Sequence, residues 1–238
     1  MCPGPWYTCD SRIGDALIII SIVLAAIWAF FLLVDYLNNR RIYHLTWAFS
    51  FIALWIVFHQ VTFKGYYYGL TTDMIAAVSS FIPGGIAAGL VFAVFPGKKL
   101  MDKVSYGLLY SVFVIAMAFF IAFFKLPRIM QAIGSEAWLG SIFVVLSHVV
   151  SSAVIIGLPI YTYVKKETTW RALLFSVGGV LLGAAGVGVS LLLTGIIAPE
   201  VTFTLFPYLL LFATFSFALG TFFTAKWRFD IPGVELEE

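Results

Sequence analysis

Seven long apolar segments run along the chain, separated by short polar stretches. They cover Ile13 to Leu37, Leu45 to Phe63, Met74 to Phe95, Tyr106 to Phe124, Trp138 to Val164, Ala172 to Ile197 and Phe203 to Phe223. A bilayer core about 30 Å thick takes about 20 residues of α-helix, so each segment predicts one crossing. The segments are too long for barrel strands and lack their period-2 alternation. Only helices satisfy their own backbone in lipid. The first segment is too long for a signal-peptide core and no small-residue cleavage site follows it, so it is read as a retained span. The expected fold is all-α: a polytopic membrane bundle of about seven transmembrane helices. The bundle covers residues 13–225, between a tail of residues 1–12 and a tail of residues 226–238.

Basic residues set the orientation. One set of connections holds Arg40 and Arg41, then Lys98, Lys99 and Lys103, then Lys165, Lys166 and Arg171. Lys226 and Arg228 follow the last segment on the same side. The opposite side has only Arg12, Lys64, Lys125 and Arg128. The denser set is expected in the cytoplasm. An odd number of helices then puts the N-terminus outside and the C-terminus inside, in the cell membrane. Trp138, Tyr66 to Tyr68, Trp170 and Trp227 fall where interfacial aromatics belong. Pro96-Gly97 and Pro127 punctuate loops, and Pro199 follows the sixth segment.

Composition supports the same class. Of 238 residues, 62% are hydrophobic and 11% charged, with a mean hydropathy of +1.02. Soluble domains carry about 25% charged residues. So little charge cannot cover a water-facing surface, and lipid is the expected partner. A net charge of +2 with no basic run argues against nucleic acid. Cys2 and Cys9 are the only cysteines, which excludes zinc-finger and iron–sulfur frameworks. In an oxidising exterior they close a small loop as a disulfide, or else stay free.

Three short matches suggest an internal repeat. Phe81 to Gly89 and Phe175 to Gly183 both read F-x-x-G-G-x-x-x-G and start 94 residues apart. Trp47 with Ser50 matches Trp138 with Ser141. Ala29-Phe30-Phe31 with Leu33 matches Ala122-Phe123-Phe124 with Leu126. The alternation of helix direction makes this a 3+3 inverted repeat, residues 13–97 and 105–197, plus one further helix. Inverted repeats mark secondary transporters, whose sites lie near the bilayer midplane. The alternative is that Gly-rich faces recur for packing alone.

The third segment carries Pro83 before Gly84 and Gly85. Proline frees the carbonyl of Ser79 and is expected to kink or break the helix. A freed carbonyl at that depth needs protein, water or a ligand. The residues expected to line a pathway between the third and sixth helices are Ser79, Ser80, Pro83, Gly84, Gly85, His148, Ser151, Ser152, Ser176, Gly178 and Gly179. His148 lies well inside the fifth segment, where an ionisable side chain is a functional candidate. His59, beside Gln60, is a secondary one. His44 is expected at the cytoplasmic edge, among loops or headgroups. No Asp or Glu falls at the centre of a segment, which argues against a carboxylate-driven pump.

Two histidines on different helices suit axial haem b ligation. Yet the depths of His59 and His148 differ by roughly 8 Å at 1.5 Å per residue, a poor fit. Catalytic sets and metal-ligand spacing are absent, so no enzyme activity, metal or cofactor is expected. Seven helices with an outside N-terminus resemble the rhodopsin and receptor topology, in topology alone. The last segment has no lysine for a retinal Schiff base, which excludes retinal, and no D-R-Y-like or N-P-x-x-Y-like sequence occurs. The functional expectation is a permease for a small, neutral or weakly polar solute. The alternative is a non-catalytic subunit, assembly factor or sensor module, in contact with other subunits or a second copy through its Gly-rich faces.

Overall fold

The computed structural model describes residues 12–64, 73–95, 99–100, 104–125, 138–193 and 199–226. Seven α-helices form: α1 (Arg12–Asn39), α2 (Ile42–Lys64), α3 (Asp73–Val94), α4 (Tyr106–Lys125), α5 (Trp138–Val164), α6 (Leu173–Leu193) and α7 (Pro199–Lys226). All seven are long and apolar enough to cross a membrane. This is compatible with a multi-pass membrane protein.

Three details differ from the hydropathy pattern. Between α3 and α4, two-residue strands β1 (Lys99–Leu100) and β2 (Val104–Ser105) pair antiparallel. The sequence predicts no strand there, but a connection that doubles back lets two extended pieces satisfy each other's backbone. One turn of 3₁₀ helix, Trp170–Ala172, leads into α6. Finally, Pro199 opens α7, four residues ahead of the expected Phe203. Proline lacks an N–H, and the first helical position needs none.

The helices pack in a ring. In chain order, α1 meets α2, α2 meets α3, α5 meets α6 and α6 meets α7, while α7 returns to α1. The ring closes between α3 and α5, and α4 lies outside it against both. Small residues decide how tightly this goes. On α1 the buried stripe is Ile18, Ser21, Ala25, Ala29 and Leu32, at the three- and four-residue steps of one helix face. Its other faces expose Ile20, Val23, Ile27, Phe30 and Phe31. The large apolar side chains therefore point outwards, as lipid requires. The most enclosed helix is α3, where Ala87, Ala88, Gly84 and Gly89 let three neighbours approach.

Hydrogen bonds pin several seams. Trp47 Nε1 on α2 donates to the Ile86 carbonyl on α3 at 3.2 Å. Trp28 Nε1 on α1 donates to Thr221 Oγ1 on α7 at 2.6 Å. Tyr110 on α4 donates to Ser151 on α5 at 3.0 Å, and Ser176 on α6 donates to the Ile156 carbonyl on α5 at 2.9 Å. In lipid, such bonds and close van der Waals contact replace the hydrophobic force between helices.

One end of the bundle carries Arg40, Arg41, Lys165 and Lys166. Two of them hold left-handed backbone, Arg40 at φ 55 and Lys166 at φ 59. Both follow a helix C-terminus. After α5 the Lys166 N–H reaches the Tyr163 carbonyl and the Glu167 N–H reaches Thr162, a Schellman closure.

Trp47 is fully buried and its ring centroid lies 5.3 Å from that of Phe175 on α6. Replacing Trp47 by Ala is expected to cost about 3–5 kcal/mol, the range for large buried aromatics. Trp55→Ala, at a side chain 40% exposed, is expected to stay within about 0.5 kcal/mol. Thermal unfolding of both variants in the same detergent checks the contrast.

Candidate functional site

α3 runs unbroken through Pro83, so of the expected kink or break, the break does not occur. Its neighbour α2 supports it there. Ser50 Oγ lies 3.2 Å from the Thr46 carbonyl of its own helix and 3.3 Å from the Phe81 carbonyl of α3. Packed protein of this kind holds the backbone around a transmembrane proline.

The glycines act as notches. A Cβ on Gly84 would lie 2.5 Å from Val114 of α4. One on Gly85 would strike Ser50 of α2, and one on Gly89 would strike the Trp47 indole. On α6, Gly178 would meet Phe217 of α7 at 2.6 Å and Gly179 would meet Ile155 of α5 at 2.7 Å. The two glycine sets thus receive side chains from other helices, and α3 does not pack along α6. Around Gly183 a Cβ would meet nothing within 4 Å.

The matched positions agree in part. Gly84 and Gly178 each admit a side chain from the following helix, and Gly85 and Gly179 each admit one from the preceding helix. The third pair diverges, because Gly89 is filled and Gly183 is open. The side chains of Trp138 and Ser141 lie outside the described residues, as do Cys2 and Cys9.

The polar candidates divide between the core and its edges. Ser80 is fully buried and donates to the Ala77 carbonyl of its own helix at 2.6 Å. Ser151 is fully buried and accepts from Tyr110. Ser79, His148 and Ser152 are half-buried. His148 Nδ1 lies 2.8 Å from the Val144 carbonyl. A carbonyl only accepts, so Nδ1 is the donor in this contact. Ser176 bonds across to α5, as above.

His59 and Gln60 are half-buried on α2, with the His59 ring 5.7 Å from Trp55. α2 does not pack along α5, so His59 and His148 stand on helices that are not direct neighbours. Among the described residues no group of three or more His, Cys, Asp or Glu is placed to hold a metal ion.

Three side chains escape the sequence reading. Ser147 is fully buried one turn from Ser151, and among the described residues its Oγ has no hydrogen-bond partner. Tyr110 completes the α4–α5 bond. His44 is 0% exposed, which corrects its expected place among loops or headgroups. The i, i+4 spacing of Ser147 and Ser151 was a readable signal. For His44, the adjacent Arg40 and Arg41 suggested the interface instead.

Against protein-family models, curated proteins and solved structures, the chain finds no match.

The filled and open glycines give a direct comparison. Gly89→Ala is expected to lose about 1–3 kcal/mol, because the fully buried Trp47 indole must shift. Gly183→Ala is expected to be neutral, or to gain up to about 1 kcal/mol from helix propensity. Melting temperatures of the two single variants read the difference.

Proposed function

We propose that this chain is a non-catalytic membrane module, a subunit or sensor that works through contact with another transmembrane helix. The observation that supports it is the contrast between the two glycine environments. The inner glycines are notches filled by the bundle itself. On the outside of α6, Val177, Val180, Ala184 and Val187 are exposed, and a Cβ at Gly183 or Gly186 would meet nothing. A face this shallow suits close approach by a second helix. In this reading the end with Arg40, Arg41, Lys165 and Lys166 faces the cytoplasm, and the N-terminus lies outside.

Transport is the second reading. It draws on the matching surroundings of Gly84 with Gly178 and of Gly85 with Gly179. It requires the interior around Ser80, Ser151 and Ser176 to open to water during a cycle.

A photo-reactive side chain placed at Ala184 in native membranes tests the first reading. It is expected to yield an adduct whose mass identifies a second copy or a separate subunit. The same probe at Val23, on the exposed face of α1, is expected to yield none. Equal behaviour of the two positions would count against a protein contact on α6.

A further inference from the structure

The last turns of α5 join an exposed apolar strip to a pair of cations. In steps of three and four residues from Gly157, one helix face carries Ile160, Tyr161, Val164 and Lys165. All are exposed, Val164 at 70% and Tyr161 at 52%. Gly157 begins the strip as an open notch, since a Cβ there would meet nothing within 4 Å. Unlike Gly84, Gly89 and Gly178, it receives no side chain from the bundle.

Cations close the strip at the basic end. Lys165 Nζ lies 5.9 Å from the centroid of the Tyr161 ring. Its apolar stem therefore covers part of the strip while its charge stands at the strip's edge. Lys166 follows, exposed, in the left-handed backbone of the Schellman closure. Among the described residues neither lysine forms an ion pair. Glu167, half-buried, is the one carboxylate of this turn, against Lys165, Lys166 and Arg171. The 3₁₀ turn that bears the exposed Trp170 packs against α5 at the same end. An exposed indole suits the level of lipid headgroups.

The two parts of this surface define its occupant. A soluble anion would use the lysines and leave the strip bare. A neutral lipid would use the strip and leave the cations unmatched. A molecule that joins an apolar chain to a negative head matches both, and charge complementarity selects the head.

We propose that this face of α5 binds an anionic phospholipid. An acyl chain lies over the Gly157 notch and along Tyr161 and Val164, and the phosphate meets Lys165 and Lys166. The site goes beyond the subunit or sensor reading and holds equally for a permease. It rests on membrane residence alone, which flotation with liposomes tests separately.

Native mass spectrometry of the full chain in detergent tests the site, with phosphatidylglycerol or phosphatidylcholine of the same acyl chains as the added lipid. Phosphatidylglycerol is expected to bind in preference. Lys165→Gln and Lys166→Gln are each expected to weaken its binding on the order of fivefold. Arg40→Gln removes the same charge from another connection and is expected to leave binding nearly unchanged. Gly157→Leu fills the notch with both lysines in place and is expected to weaken binding as well. That position opens on empty space, so its melting temperature is expected to be undiminished. Equal binding of the two lipids would overturn the proposal. A loss in Arg40→Gln as large as in the lysine variants would overturn it too, as a general attraction of charge. Unchanged binding in Gly157→Leu would remove the acyl-chain seat. Full competition by free glycerol phosphate would assign the lysines to a soluble anion instead.

Discussion

The bundle depends on the seating of Trp47. A buried indole needs a partner for its N–H and room for two fused rings. Gly89 on α3 supplies the room and the Ile86 carbonyl supplies the partner. The ring also meets Phe175 on α6. One side chain of α2 thereby fixes two other helices. The same device then propagates. Phe175 rests against Gly220 of α7, where a Cβ would come within 3.1 Å. Phe217 of α7 fits over Gly178 of α6, and Val114 of α4 fits over Gly84 of α3. Large side chains set into glycine notches thus carry the packing from helix to helix.

A lipid surround, with which the seven apolar helices are compatible, would explain why this device is needed. Hydrocarbon tails are as apolar as leucine, so burying leucine between helices brings little. What remains is close contact, which glycine and alanine permit, and hydrogen bonding, which lipid cannot offer. The seams use both. Trp28 with Thr221, Tyr110 with Ser151, and Ser176 with Ile156 supply the bonds. Ser21, Thr62, Ser111 and Thr214 return their hydroxyls to the carbonyl four residues back, so they sit in lipid or protein alike. Ser147 stands apart from these, since its hydroxyl has no partner among the described residues.

The number of helices and most of their limits were legible, because twenty apolar residues in a row have one solution in lipid. Trp138–Val164 is the clearest case, with both bounds readable from hydropathy. The register of contacts was not legible. Hydropathy separates lipid from water but treats every buried position alike, so nothing local says that Gly89 receives Trp47 while Gly183 receives nothing. His44 shows the same limit at a helix end. α1 has 28 residues, about 42 Å at 1.5 Å each, which exceeds a core of about 30 Å. Protein therefore continues past the expected hydrocarbon edge, and a residue beside two arginines lies inside it. Pro199 does follow α6, but the start of α7 was placed four residues too late for a related reason: proline opens a helix as readily as it follows one, and only the backbone tells which.

A closed interior is the claim on which the account turns, and cysteine accessibility measures it directly. Ser80, Ser151 and Ser176 would each be changed to Cys in a protein with Cys2 and Cys9 replaced by Ser. Each variant would be reconstituted in liposomes and offered a small water-soluble thiol reagent. The account predicts that all three thiols stay unmodified in the folded protein and react only after unfolding. Modification of the folded protein from either side would contradict it and put a water-filled path through the bundle.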